Sequence, residues 1–260
     1  FLIFNLTCVS TAQAAGVFVD SFSVNSQDTE ARGLTFNNDG TKMFVAGYTN
    51  DDVYEYTLST GFDVSTASFV VAFSIDTDSE DDVRDVKFNS NGTKMFVLGR
   101  DGDKVYEHTL TTGFNISTSS FVVSFDISSE EGAATSIEFN TGGTKMFVLG
   151  QSTDYVFEYT LGTGFDVSTA TYAGNDKRFY VGNEEADGNG LAFNKSGTKM
   201  FVIGHNGDDV NEYTLTTGFD VSTASFVDSY SVSSEESAAT SLEFSSDGSK
   251  MFVLGQNGND

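Results

Sequence analysis

The sequence predicts an all-β fold: a β-propeller of four-stranded antiparallel blades, about five in this chain, the last of them incomplete. Three observations carry that prediction. First, a dozen residues, "FNNDGTKMFVAG" from Phe36 to Gly47, return as "FNSNGTKMFVLG" from Phe88, "FNTGGTKMFVLG" from Phe139, "FNKSGTKMFVIG" from Phe193 and "FSSDGSKMFVLG" from Phe244. Second, their shared glycine falls at Gly40, Gly92, Gly143, Gly197 and Gly248, in steps of 52, 51, 54 and 51 residues. A fixed period of that length marks a stacked or closed array. Third, no stretch of twelve residues shows helical periodicity, whereas short runs rich in Val, Phe, Tyr and Thr recur throughout.

Each unit holds four strand-length segments. The first is "GLTF", "DVKF", "SIEF", "GLAF" or "SLEF", and the second is "KMFVAG" and its copies. Turns such as Asn38-Asp39-Gly40 and Asn91-Gly92 join them, and Asn-Gly and Asp-Gly suit tight hairpins because they tolerate positive φ. The third segment is "VYEYTL" or a near-copy, reached through a Gly-Asp or Asn-Asp loop. The fourth, "SFVVAFSI", "SFVVSFDI" or "SFVDSYSV", follows "STGFDVSTA". In strand two Phe44 points one way while Met43 and Val45 point the other, so both faces of a blade need an apolar neighbour. Face-to-face stacking around an axis meets that need and leaves only short edges. A straight β-solenoid is the rival, but its repeats usually carry shorter strands and periods.

"GLTFNNDGTKMFVAG" and "GLAFNKSGTKMFVIG" resemble the inner hairpin of secreted propellers of the YVTN and lactonase-like type. The resemblance covers nearly all of the chain after its first residues. It implies the propeller architecture, and for activity only that some similar propellers hydrolyse a lactone or sugar. "FVLG" stands where the YVTN name motif would be, and no proline precedes the Asp-Gly turns.

Residues 1–15, "FLIFNLTCVSTAQAA", read as the apolar core and cleavage region of a secretory signal with a truncated start, Ala12-Gln13-Ala14 supplying the A-x-A pattern. The alternative reading is a buried first strand. Cys8, the single cysteine, would leave with the signal, so packing rather than a disulfide must stabilise the rest. Residues 16–260 are then the propeller, with repeats near 28–79, 80–129, 130–183, 184–234 and a partial one at 235–260. Residues 17–24 read as a fourth strand that could complete the last blade, whose third strand is missing.

The formal charge of −25 sets bounds on partners. Such a chain repels phosphate backbones and anionic headgroups, so nucleic acid and membrane insertion are poor fits. A protein, a glycan or a cationic ligand suits it better, in a secreted, periplasmic or cell-surface setting. Meander logic places the loops after strand two and the links between blades on one rim. That rim gathers Asp51, Asp103, Asp154 and Asp208, four residues after each strand-two glycine, with Asp28, Glu80, Glu131, Glu185 and Glu236 eight residues before each strand-one phenylalanine. Glu130, Glu184, Glu235, Asp81 and Asp82 crowd beside them. The functional reading is a cation-attracting face, and calcium is the ion that so many carboxylate oxygens would suit. The structural reading is solubility and turn capping, since Asp readily caps loops. No segment has the calcium-loop spacing D-x-D-x-D-G, and the sequence names no cofactor.

Other residues read as structure first. Glu55, Glu107, Glu158 and Glu212 sit mid-strand, diagonal to Lys42, Lys94, Lys145 and Lys199, and such pairs contribute about 0.2–1 kcal/mol each. His108 replaces the second tyrosine of "VYEYTL" and reads as a packed or edge residue, whereas His205 sits in a rim loop and is the better ligand candidate. The third unit departs from the rest at "TYAGNDKRFYVGNEEADGNG", with a basic pair, Lys177 and Arg178, in an outer strand expected to bulge. Triplets at Asn91, Asn115 and Asn194 match the glycosylation acceptor pattern.

No catalytic constellation stands out. The leading expectation is a secreted binding or interaction scaffold with its ligand or partner at the acidic rim. The alternatives are a propeller hydrolase acting in the axial channel and a structural cell-surface protein. For a channel site, strand one offers Thr35, Lys87, Glu138, Ala192 and Glu243, which are unlike one another.

Overall fold

A computed structural model describes residues 16–75 and 82–256, together with the backbone of residues 2–7. The described residues form five antiparallel sheets. Strands β1 (Leu2–Thr7) and β2 (Val17–Ser23) come first in sequence. Blade one follows as β3 (Ala31–Phe36), β4 (Lys42–Gly47), β5 (Asp52–Leu58) and β6 (Ala67–Ser74). Blade two is β7 (Val83–Phe88), β8 (Lys94–Gly99), β9 (Lys104–Leu110) and β10 (Ser119–Asp126). Blade three is β11 (Ala134–Phe139), β12 (Lys145–Gly150), β13 (Tyr155–Leu161) and an outer strand split into β14 (Ala170–Tyr172) and β15 (Arg178–Tyr180), where a bulge was expected. Blade four is β16 (Gly188–Phe193), β17 (Lys199–Gly204), β18 (Asp209–Leu215) and β19 (Ala224–Ser231). Blade five starts with β20 (Ala239–Phe244) and β21 (Lys250–Gly255).

The last blade is not incomplete, which corrects the sequence reading. Its order is β2-β1-β21-β20, so the N-terminus supplies both outer strands. Thr7 pairs with Lys250 as Thr57 pairs with Lys42, and Asn5 faces Phe252 as Glu55 faces Phe44. "IFNLT" therefore occupies the register of "VYEYT". Cys8 and the Ala12–Ala14 pattern lie outside the described residues.

The phenylalanines fasten the ring. Phe44 packs into a cluster with Val83, Val86 and Met95 of blade two, whereas Met43 and Val45 pack against Phe252 and Leu254 of blade five. Four of the five strand-two phenylalanines meet two rings of the next blade: Phe44 with Phe88 and Phe114, Phe96 with Phe139 and Phe165, Phe147 with Phe193 and Phe219, and Phe252 with Phe36 and Phe62, while Phe201 meets Phe244. The first two central rings, Phe44 and Phe96, are fully buried, and full burial of such a ring contributes about 1.5–3 kcal/mol.

A polar clasp accompanies each triad. Phe62, Phe114, Phe165 and Phe219 have φ of 57, 56, 57 and 58°, a left-handed conformation costly for any residue but glycine. Their carbonyls accept hydrogen bonds from Lys250, Lys42, Lys94 and Lys145 of the preceding blade at 2.5–2.6 Å. Lys42, Lys94, Lys145 and Lys199 also pair with Glu55, Glu107, Glu158 and Glu212 at 2.6–2.7 Å, the diagonal contacts expected from the strand register. Glu55 and Glu107 in turn accept the amide N–H of Ile116 and Val167 in the next blade. A repeated "K…E…GFDV" pattern thus holds the kinked link of one blade onto its neighbour.

Candidate functional site

The inner strands β3, β7, β11, β16 and β20 adjoin one another in a closed circle around the axis. Toward the hairpin turns the axial residues are the predicted set, Thr35, Lys87, Glu138, Ala192 and Glu243. The structure brings four of them together. Lys87 is buried and pairs with Glu138 at 2.8 Å and Glu243 at 3.2 Å, and Thr35 donates to Glu243 at 3.2 Å. Backbone N–H groups of Phe139 and Phe244 donate to the two carboxylates. Deeper along the axis, buried Asp85 accepts from Val86 N–H, Ile137 N–H and Ser136 Oγ. Burial, and then the charge of Glu243, push the Glu138 carboxyl up to about 7 against the pull of Lys87. Burial likewise raises Asp85, while Glu138, Glu243 and Asp85 together hold the Lys87 ammonium well above its ordinary value.

The other end of the axis opens on the acidic rim. Here each inner strand carries a bulge at its second residue, giving Arg32, Arg84, Thr135, Asn189 and Thr240. In three blades that residue stitches the ring. Thr135 donates to Gly188 O, Asn189 to Ala239 O and Thr240 to Ala31 O, each on the next blade. Blades one and two put arginine there instead. Arg32 and Arg84 both lie over the ring of Tyr48, at 5.4 and 5.3 Å, and pair with Glu30 and Asp82. The first residue after strand two also differs from blade to blade: Tyr48, Arg100, Gln151, His205 and Gln256. The Gln256 amide lies against the Arg32 guanidinium, and Gln151 donates to Asn189 at 2.8 Å. Burial lowers the His205 pKa, and Arg32 lowers it further.

The acidic residues expected at this rim lie mostly within its scaffold. Asp51, Asp103, Asp154 and Asp208 adopt positive φ of 54, 46, 57 and 50° in the loop after strand two. Their carbonyls accept the N–H of Ile75, Ile127, Val181 and Val232 in the outer strands and links. Burial raises the carboxyl pKa of Asp103, Asp154 and Asp208. Glu131 is buried and accepts from Ala133 N–H, Ser152 N–H and the hydroxyls of Ser152 and Thr153. Glu185 accepts from Asp187 and Asn206 N–H, Glu236 from Ala238 N–H, and Asp28 from the N–H groups of Glu30, Thr49 and Asn50. Glu80 and Asp81 lie outside the described residues. Among the described residues no group of three or more His, Cys, Asp or Glu is arranged to hold a metal ion, and no helix is long and apolar enough to cross a membrane.

His108 is packed, as its place in the repeat suggested: it meets Phe73 and Phe121 edge-on at 5.7 and 5.8 Å. Lys177 pairs with Asp220 at 2.6 Å and Arg178 lies over Tyr155 at 4.4 Å, so the basic pair of blade three is engaged locally.

No family model matches the chain, and no curated protein does. Solved structures do. A Lactobacillus plantarum protein is 8% identical with a TM-score of 0.55, over 98% of this chain and 89% of its own. Two proteins described as putative 6-phosphogluconolactonases are also similar. The one from Bacteroides fragilis has TM-score 0.54 at 11% identity, over 92% of this chain and 66% of its own. The one from Bacteroides uniformis has TM-score 0.52 at 13% identity, over 98% of this chain and 75% of its own. What is shared at such identity is the fold. This chain is a β-propeller.

Proposed function

We propose that this propeller is a binding module, secreted or displayed at the cell surface, whose glycan or protein ligand seats at the axial mouth on the acidic rim. One observation carries the reading. In a chain of near-identical blades, the residue that elsewhere stitches neighbours together is replaced twice by arginine, and both guanidinium groups lie over Tyr48 at the mouth. Repeated structure does not require that exchange. Gln151, His205 and Gln256, at the positions equivalent to Tyr48, add hydrogen-bonding groups suited to hydroxyl- and carboxylate-bearing partners. The test is a glycan and peptide array, with affinities of the hits measured for the parent chain and for Tyr48→Ala and His205→Ala. The expected result is a loss of tenfold or more in both variants at unchanged melting temperature. Hits that bind both variants as tightly as the parent would move the site elsewhere.

A second reading, hydrolysis of a lactone or sugar in the channel, draws on Glu138, a carboxyl raised to about 7 beside Lys87 and Glu243. General acid–base work needs groups tuned apart in one pocket. Proton release from simple δ-lactones in a pH-stat, abolished in Glu138→Gln, would favour it over binding alone.

A further inference from the structure

A cavity lies at the hairpin-turn end of the axis, away from the rim. It has a volume of about 220 Å³ and is lined by Phe36, Phe88, Phe139 and Phe193 and by the Lys87–Glu138–Glu243 group. The charges around it do not balance. Glu138 and Glu243 face one Lys87, and Asp85 lies just below on the same inner strand as Lys87. Three carboxylates thus face one ammonium, and burial together with the neighbouring Glu243 charge holds the Glu138 carboxyl up to about 7. Hydrogen bonding is unbalanced in the same sense. An ionised carboxylate offers about four lone-pair sites. Glu138 uses one for Lys87 and one for Phe139 N–H, and Glu243 uses sites for Lys87, Thr35 and Phe244 N–H. Both therefore keep accepting capacity beside the cavity.

We propose that this cavity binds a primary ammonium group, seated against Glu138 and Glu243 and carried either by a small amine or by a lysine side chain of a partner. A neutral alcohol would satisfy the lone pairs and leave the charge uncorrected; an anion would meet two carboxylates. Lys87 stays paired, so the incoming ammonium supplies the further positive charge that the site lacks. Binding stabilises the ionised form of Glu138, whose proton is released. Lys87, Glu243 and Asp85 are the charged groups that face it.

The experiment is isothermal titration of the full chain with n-butylamine, with n-butanol as the neutral match and with a lysine-bearing tripeptide, at pH 6 and pH 8 in buffers of unlike ionisation enthalpy. The amine is expected to bind 1:1 and the alcohol not at all. Affinity should rise up to about tenfold from pH 6 to pH 8, because a group titrating near 7 goes from about a tenth to about nine tenths ionised. Binding of the tripeptide as well as the amine would point to a protein partner, and binding of the amine alone to a free metabolite. Glu138→Gln should abolish the pH dependence and weaken binding. Asn38→Trp, at an exposed turn lining the cavity, should block entry with the charges intact, so the test survives if Glu138→Gln does not fold. Equal binding of amine and alcohol, no binding by the amine, or amine binding untouched by Asn38→Trp would overturn the proposal. Tyr48→Ala and His205→Ala, at the far mouth, should leave amine binding unchanged, so either site can fail alone.

Discussion

Lys250 donates a hydrogen bond of 2.6 Å to the carbonyl oxygen of Phe62, across 188 residues of chain. It is the same contact that Lys42 makes with Phe114, Lys94 with Phe165 and Lys145 with Phe219. Between blade five and blade one, however, it joins the two ends of the repeat array. The clasp found at three other junctions thus recurs where the ring shuts, beside the N-terminal strands β1 and β2 that complete blade five.

The clasp gives the first prediction. Glu107 is buried, bonds Lys94 at 2.6 Å and accepts the Val167 amide at 2.9 Å. Lys94→Met leaves that carboxylate desolvated and short of its cation. Removing one partner of a buried pair costs about 3–5 kcal/mol, and the partial exposure of Lys94 places this case at the lower end. The urea midpoint should fall accordingly. The double variant Lys94→Met/Glu107→Gln should recover a substantial part of the loss, because no unpaired charge remains.

His108 gives the second. Burial between Phe73 and Phe121 lowers its pKa from 6.5 to about 4. The folded pKa lies below the unfolded one, so between those values the unfolded chain binds more protons than the folded chain. Stability from the neutral ring is present above pH 6.5 and is lost as pH falls toward 4, by about 3 kcal/mol at the full shift. His108→Phe should remove that slope. Urea midpoints of parent and variant at pH 7 and pH 4 should differ more at the lower pH, with the variant the more stable there.

Much of this was legible in the sequence because it is local and repeated. The period, the turn glycines and the two-way alternation of Met43, Phe44 and Val45 each describe one blade, and each recurs. The rim mouth was not legible for a geometric reason. The register shift between Ala31 and Gly33 turns Arg32 out of simple strand alternation, and Tyr48 and His205 come just after a strand ends. Their shared neighbourhood exists only once the ring is closed. Comparing equivalent positions across the five repeats could have found them, since Tyr48, Arg100, Gln151, His205 and Gln256 comprise four residue types where their neighbours agree. The acidic loop residues left two readings open in the sequence, and at Glu131 the geometry is that of loop capping: the side chain is buried and accepts four hydrogen bonds.

The third prediction compares adjacent glycines. Gly143 has φ of +67°, and a side chain there would run into the ring of Phe165. Gly142 has open space around it. Gly143→Ala should cost about 1–3 kcal/mol through backbone strain and displacement of the aromatic triad. Gly142→Ala should stay within about 0.5 kcal/mol. Thermal midpoints of the two single variants make the comparison, and equal effects would mean that the turn tolerates rearrangement.

The last prediction concerns residues 1–15, where a secretory signal and a structural strand compete for the same segment. In the structure Leu2–Thr7 pairs with β21 on one side and β2 on the other. Apolar residues suit both roles, since a signal core needs hydrophobicity without a period and the third strand of a blade needs the "VYEYT" pattern that "IFNLT" approximates. A chain beginning at Gly16 would turn β21 into an edge strand and leave β2 without a partner in its own blade. Open edges of that kind invite pairing with other chains. If β1 is structural, the shortened chain should melt at a lower temperature, associate at high concentration and lose amide-exchange protection along Lys250–Gly255. If it melts as the full chain does, with β21 still protected, residues 1–15 contribute no strand to the stable fold and the signal reading gains.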